Sequence, residues 1–507
     1  LSPMSDLDSR AKTATPRVPG VEDGEASVEV GGSAGYADGA APIGKRGPTP
    51  TIQIFLGMLF AYLGLGMVVP IMAPLVLALG LTELQGGLIF AVNYLLWVLA
   101  SPFWGGRTET WGRKPVILMG LVGFGVGHLL FALMAEVGMA RWPVDAMGLW
   151  SYASLSVLFG DVPTVDFVLA AGDLFGPTGT WAAEMFFGDG FGLGYVHWLG
   201  LMGLLSGLIL TRALAGGLFS GAPPASQAYI VDTVTAKQRT QAVGLLGAAA
   251  GIGTVGGPII TLVTSVIDMP LTVPIYLAAI LPLLPAVLLW LYLPKGGERA
   301  EKLDPPKLTF LDGRYRAVLL VGLMMNVAFA LVLFTLGFYI QHRLELTSEQ
   351  TVLKSSVAML LVGVVAFLVQ AFLLRALRWS PVTLMRVGLL IMAVSMVMLL
   401  FPMHSQWMIY LSVVVFGAGY SLVYPGFQTA ITFTVEENEQ GAVAGLAAGA
   451  GAIAFIIGPV LGTSMYGWMW QSPYVLSGIV LGATALFAFV SPRMKTLRRV
   501  SKGMSPE

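Results

Sequence analysis

Gly105-Gly106-Arg107-Thr108-Glu109-Thr110-Trp111-Gly112-Arg113-Lys114-Pro115 decides the fold of this 507-residue chain. It is a short charged stretch, punctuated by glycine, between two apolar runs, Leu84–Trp104 and Val116–Met134. Each run approaches the roughly 20 residues a helix needs to cross a bilayer. A hydrophilic turn this tight between two membrane-length segments predicts a helical hairpin whose turn lies on one membrane face.

Composition extends that reading to the whole chain. Hydrophobic residues make up 56% and charged residues 11%, against roughly 25% charged in a soluble domain. The sequence has no cysteine, which removes disulfides and thiolate metal sites. A formal net charge of zero argues against nucleic acid as a partner.

Twelve segments have membrane-spanning length and character, near 52–78, 85–104, 116–135, 205–231, 241–266, 272–293, 315–340, 352–374, 381–402, 407–431, 441–465 and 473–492. Backbone groups cannot stay unpaired in hydrocarbon, so these segments are expected to be helices. The expected fold class is an all-α integral membrane protein. Residues 1–50, rich in Gly, Ala, Pro, Ser and acids, are expected to form a disordered cytoplasmic tail without a signal-peptide core.

Loop charge orients the chain. Even-numbered connections carry Arg107, Arg113 and Lys114; Lys237 and Arg239; Lys295, Arg299, Lys302, Lys307 and Arg314; and Arg375 and Arg378. The tail at 493–507 adds five more basic residues. Odd connections carry only Arg141, Arg343 and Lys354. The positive-inside rule then places both termini in the cytoplasm. The connection after segment ten is an exception, with Glu436, Glu437 and Glu439.

The chain also repeats itself. At an offset of 201 residues Gly216 falls on Gly417, Pro224 on Pro425, Gln227 on Gln428, Gly244 on Gly445, Gly257 on Gly458 and Pro258 on Pro459. Earlier, Pro115-Val116-Ile117-Leu118-Met119 falls on Pro381-Val382-Thr383-Leu384-Met385 at an offset of 266. Two six-helix halves are therefore expected, 51–294 and 314–492, joined by a cytoplasmic linker at 295–313. The difference between the offsets leaves an extracytoplasmic insertion in the first half, placed at 137–200 between segments three and four. It is acidic and aromatic. It reads as a folded interfacial cap, a lid, a cation-attracting vestibule or a partner surface.

The G-x-x-x-acid-x-x-G-R-K pattern of 105–114 resembles the loop between helices two and three of the major facilitator superfamily. The resemblance covers about 52–492. It departs from the usual pattern at Glu109, where Asp is common, and at Thr110, where a basic residue is common. The resemblance implies transport by alternating access, with Glu109, Arg113 and Asp232 as a conformational latch. A carboxylate at 109 can meet a helix N-terminus, and helix N-termini attract negative charge. Gly244, Gly253, Gly257 and Pro258 in segment five resemble the antiporter motif of drug and metabolite exporters. Thr261 and Leu262 stand where that motif closes with glycines. Arg212, in Arg212-Ala213-Leu214-Ala215-Gly216, resembles the helix-four arginine of drug–proton antiporters.

Intramembrane charge is costly and marks function. Arg212 and His128 are accordingly the proton-coupling candidates, a role that histidine's intrinsic pKa suits. Segment one lacks the acid that many such antiporters carry there. Tyr62, Asn93, Gln227, Asn326, Gln341, Tyr420, Tyr424 and Gln428 are the candidate lining of the substrate cavity; Gln370 is a further polar group inside an apolar segment. A weakly charged, aromatic cavity suits amphipathic substrates.

The expectation is a monomeric, multi-pass carrier of the bacterial inner membrane, resembling the tetracycline-exporter-like drug:proton antiporters. It would exchange protons for drugs or an endogenous product such as a siderophore, with no cofactor. No Walker loop, metal-ligand cluster or hydrolase triad is present, so no enzyme chemistry is expected. Proton-coupled uptake on the same fold, and a non-transporting assembly factor or receptor using the insertion, are the alternatives.

Overall fold

The computed structural model describes residues 50–141, 191–234, 236–294, 308–377, 379–401, 405–436 and 439–500. All lie in one compact unit, Pro48–Glu507. Among them are twelve helical spans long and apolar enough to cross a membrane: Pro50–Ala78, Glu83–Thr110, Arg113–Met139, Leu201–Thr233, Gln241–Val266, Val273–Tyr292, Arg316–Arg343, Ser348–Leu377, Pro381–Leu400, Gln406–Thr432, Gln440–Trp468 and Ser472–Val490. They are spans 1 to 12 below. The expectations for the N-terminal tail and for most of the linker fall outside the described residues.

Four local readings change. The hairpin turn is much shorter than the 105–115 stretch: span 2 continues through Gly105-Gly106 to Thr110 and span 3 begins at Arg113. Only Trp111 and Gly112 make the turn, and Gly112 has φ +92°, where a Cβ would be strained. The insertion also shrinks. Helix extends to Arg141 on one side and resumes at Phe191 on the other, so both ends of 137–200 are helical and 142–190 lies outside the described residues. Span 4 is two helical pieces, Phe191–Phe219 and Ala222–Thr233. Pro223 and Pro224 lack the N–H groups that would continue the first piece into the second. Span 8 carries a π-helical turn at Val369–Leu373, and Gln370 in it is exposed.

Spans 2 and 8 start the same way. Thr82 Oγ1 accepts from the backbone N–H of Gln85 and the Gln85 side chain accepts from the N–H of Thr82. Thr347 and Gln350 repeat this reciprocal pair. Such a capping box satisfies orphan amides at a helix start, with roughly 1 kcal/mol at stake for the cap residue. Its recurrence in both halves is a local signature of the internal repeat.

Small residues bring the spans together, as expected where lipid offers no hydrophobic drive for association. Span 5 crosses span 1 at Gly253 and Gly257, which lie against Tyr62, Leu63, Gly66 and Met67. Thr261 Oγ1, at a position where the antiporter motif has glycine, donates to the Met67 carbonyl at 3.1 Å. In the second half Gly458 of span 11 lies against Ala330 of span 7, so the repeat reproduces the crossing.

The halves meet chiefly through span 2 on span 11 and span 5 on span 8. The named contacts concentrate on the side away from the termini. Gly87 lies against Pro459 and Thr463, Gly86 against Phe338 and Gly337 against Ala73. Ser348 donates to the Pro74 carbonyl, and the Phe90 and Phe334 rings are 4.4 Å apart. On the terminus side, Gly105 and Gly106 of span 2, Gly244 and Gly247 of span 5 and Gly441 and Gly445 of span 11 all face open space. The structure is closed on one membrane side and open on the other.

Candidate functional site

Between the closed seam and the open side lies a set of packed rings drawn from both halves. Phe416, Tyr420 and Tyr424 sit at four-residue steps on span 10 and so share one helix face. Phe329 of span 7 stacks on Tyr420, with ring centroids 4.2 Å apart and planes 25° apart. Phe416 lies parallel to Phe329 at 5.9 Å and Tyr424 parallel to Tyr420 at 5.6 Å. Exposure rises along this ladder from buried Phe416 to exposed Tyr424. The first half answers with Tyr94, which packs on Phe455 at 5.1 Å and Phe334 at 6.2 Å. Tyr62 in span 1 meets Phe219 of span 4 edge to face, with ring centroids 6.1 Å apart.

The polar candidates separate. Asn326 Oδ1 accepts from the Tyr420 hydroxyl at 3.4 Å, and Gln428 Nε2 donates to the Tyr424 hydroxyl at 3.0 Å. These join the ladder. Asn93 is buried, its backbone against Gly216 of span 4. Gln227 is exposed. Gln341 sits at the far end of span 7 with a buried Oε1 lacking a hydrogen-bond partner. These three lie apart from the ladder.

Arg212 and His128 come together across 84 positions. Arg212 Nη1 is 2.8 Å from His128 Nε2, and His128 Nδ1 is 2.8 Å from the Phe124 carbonyl oxygen. A carbonyl only accepts and a guanidinium only donates. Nδ1 therefore carries the proton, and Nε2 is the bare acceptor. Both side chains are buried, at 0% and 1% exposure. The guanidinium also lies over the Phe131 ring, 5.5 Å from its centroid. Its Nε is buried with no hydrogen-bond partner.

At the open side, Arg113 Nε pairs with Asp232 Oδ2 at 3.1 Å, joining the start of span 3 to the end of span 4. Arg113 Nη1 also reaches the Thr108 carbonyl at 3.4 Å. Glu109 is exposed near the end of span 2. Lys114 Nζ donates to the carbonyls of Trp290 and Leu293, at 2.8 and 2.6 Å, a favoured place for a cation at a helix C-terminus.

Sequence reasoning missed a second charged knot. Arg314 grips both Asp312, at 2.9 Å, and Glu439, at 2.7 Å. It ties the entry of span 7 to the start of span 11. The hydrogen bonds from Arg314 hold both carboxyls below their usual range. The acidic connection that broke the charge rule is thus partly accounted for. The signal was available in Glu439, the acid of that connection nearest the start of span 11.

A sequence model of the Major Facilitator Superfamily matches residues 54–160, 185–453 and 374–505. Multidrug resistance protein 1 of Bacillus subtilis is 24% identical over 454 residues, 87% of this chain and 97% of that protein. Multidrug resistance protein MdtG of Escherichia fergusonii is 30% identical over 128 residues, 24% of this chain and 28% of that protein. Among solved structures, a bacterial homolog of the human lysosomal transporter Spinster, in an inward-facing and occupied conformation, superimposes with TM-score 0.59 at 13% identity, covering 88% of this chain and 98% of that one. The human organic anion transporter MFSD10 gives TM-score 0.53 at 17% identity, covering 87% and 100%. Those identities speak to fold alone. The twelve-span chain, a membrane transporter of small molecules rather than an enzyme, belongs to the Major Facilitator Superfamily.

Proposed function

We propose that this protein exports amphipathic small molecules across the bacterial inner membrane in exchange for protons. It works as a monomer, since one chain supplies both walls of the cleft. The carrying observation is the asymmetry of the seam between the halves: closed away from the termini, open beside them, with the aromatic ladder between. With the basic connections and termini in the cytoplasm, this is the loading state of an exporter. The names of the B. subtilis and E. fergusonii relatives support export of drugs.

Coupling falls to Arg212 and His128. The bond from Nη1 uses the bare Nε2 of His128. A proton on Nε2 removes that acceptor and sets two cations face to face. The present placement of the guanidinium and a protonated His128 therefore exclude each other, so that a proton taken up there would rearrange the Arg212 contact. Glu109, Arg113 and Asp232 form the latch. Arg113 ties Asp232 at the end of span 4 to the span 2–3 turn, and Glu109 supplies a carboxylate of the kind a helix N-terminus attracts.

Everted membrane vesicles test the reading. An acid-inside gradient should drive a fluorescent amphipathic substrate into vesicles containing this protein, and a protonophore should abolish the accumulation. Accumulation only in right-side-out vesicles would replace export with uptake.

A further inference from the structure

On the terminus side of the second half, spans 7, 11 and 12 line a pocket of about 660 Å³. Its floor is the first turns of span 7, on which spans 11 and 12 both pack. Leu320 and Leu323 of span 7, Ile453 of span 11 and Phe487 of span 12 line it, with Phe310 and Leu311 where the chain enters span 7. These walls are apolar, yet several are open: Leu311 is 85% exposed, Phe310 45% and Leu320 44%. An exposed apolar patch of this kind marks a contact with a membrane or a partner.

Two arginines belong to the same lining: Arg316, the first residue of span 7, and Arg493, just beyond span 12. Both are exposed, and neither forms an ion pair among the described residues. Arg493 lies against Gly313. The carboxylate beside that glycine, Asp312, is already held by Arg314 at 2.9 Å. Leu323 lies about 10 Å along the helix axis from Arg316. The pocket therefore runs from a basic rim at the span ends to apolar walls two turns inside the membrane. The short helix Pro492–Val500 continues this character. Met494 is buried and Leu497 partly buried, whereas Arg493, Lys495 and Arg498 are exposed, the division expected of a helix lying in a membrane interface.

We propose that this pocket is a binding site for an anionic phospholipid of the leaflet on the terminus side. Arg316 and Arg493 take the phosphate through charge-assisted hydrogen bonds, and an acyl chain lies on Leu320, Leu323, Ile453 and Phe487. An anionic lipid carries its charge at the interface and its chain in the hydrocarbon, the same order as the lining. A soluble phosphate uses the rim alone and leaves the apolar walls bare. A zwitterionic lipid fills the walls but brings its own cation to the rim. The bound lipid joins the entry of span 7 to the helix that follows span 12.

Lipid retention by the delipidated full-length protein in detergent, read by native mass spectrometry, tests this. Dioleoylphosphatidylglycerol is the anionic probe, dioleoylphosphatidylcholine the zwitterionic one and inorganic phosphate the soluble one. The expected result is a tightly held phosphatidylglycerol, bound roughly tenfold more strongly than phosphatidylcholine, as two basic contacts at a membrane surface imply. Arg316→Gln combined with Arg493→Gln should erase that preference. Lys495→Gln should keep it, because Lys495 is an exposed cation of the same helix that does not line the pocket. Leu323→Trp, which fills the pocket, should weaken both lipids. Thermal melting checks that each variant is folded. Equal binding of the two lipids by the unaltered protein overturns the proposal, whatever the variants do. So does a loss in Lys495→Gln as large as in the double variant, which would show diffuse attraction to a basic surface. Displacement of phosphatidylglycerol by inorganic phosphate, at an ionic strength matched with chloride, would make the rim a soluble-anion site and also overturns it. The transporter reading stands apart from all of these outcomes.

Discussion

Arg212 Nη1 lies 2.8 Å from His128 Nε2, inside a bundle where neither side chain reaches solvent. The histidine is the hydrogen-bonding acceptor for a guanidinium that pairs with no carboxylate among the described residues. Removing the acceptor strands a charged donor, at a cost of roughly 1–3 kcal/mol or more. His128→Leu should therefore lower the melting temperature of the detergent-solubilised protein and abolish coupled transport. His128→Gln, which keeps an acceptor, should lose less stability. Equal melting of the unaltered protein and His128→Leu would refute the role.

The crossing of spans 1 and 5 leaves no room at Gly257, where a Cβ would fall 2.5 Å from the Gly66 carbonyl carbon and the Met67 nitrogen. Gly244, in the same motif, faces open space. Gly257→Leu forces backbones apart, and overpacking of this kind typically costs about 1–3 kcal/mol. Gly244→Ala should melt like the unaltered protein. Thermal unfolding of both variants checks the contrast; a Gly257→Leu variant as stable as Gly244→Ala would contradict the packing.

Arg113 and Asp232 are partly exposed, at 25% and 16%. Exposed pairs contribute about 0.2–1 kcal/mol, so Arg113→Ala should shift melting only slightly. Its transport rate should fall much further if the pair governs a conformational step. The swap Arg113→Asp with Asp232→Arg should restore part of the rate. A rate loss in step with stability, and no recovery in the swap, would reduce the pair to an anchor.

The Arg314 knot is a pH-dependent contact. Its hydrogen bonds hold the Glu439 carboxyl below the usual glutamate value of about 4.5. A carboxyl whose folded pKa is depressed stabilises the fold above its unfolded pKa and loses that contribution as pH falls through the folded value. As pH falls from 7 to below the depressed Glu439 value, the melting temperature of Glu439→Gln should accordingly drop less than that of the unaltered protein. Identical pH profiles would show that the knot contributes nothing.

The spans were legible because length and apolarity suffice to specify a helix in lipid. Their interruptions were less so. Pro223 and Pro224 announce the joint in span 4 in retrospect, whereas nothing in Val369-Gln370-Ala371-Phe372-Leu373 marks a π-helical turn. Gly105-Gly106 reads as a turn, yet it lies within the last turns of span 2. Among site residues, Arg212 and His128 were each visible as intramembrane polar groups. Their contact was not, because it depends on how spans 3 and 4 rotate against each other. Gln227 is exposed while the Gln341 Oε1 is buried, which polar identity inside an apolar run does not foretell. The open side was illegible for a deeper reason. Under the proposed alternating access one sequence would serve both the open and the closed arrangement, and periodicity does not choose between them.

The most direct test of the account is a pair of distances measured by electron–electron spin resonance. The sequence has no cysteine, so labels can be placed at Gly106→Cys with Gly445→Cys on the open side, and at Leu84→Cys with Trp468→Cys on the closed side, in separate double variants. Alternating access predicts reciprocal change: conditions that shorten the first distance lengthen the second, as proton and substrate are varied. Two distances that stay fixed under every condition, or that grow and shrink together, would contradict it.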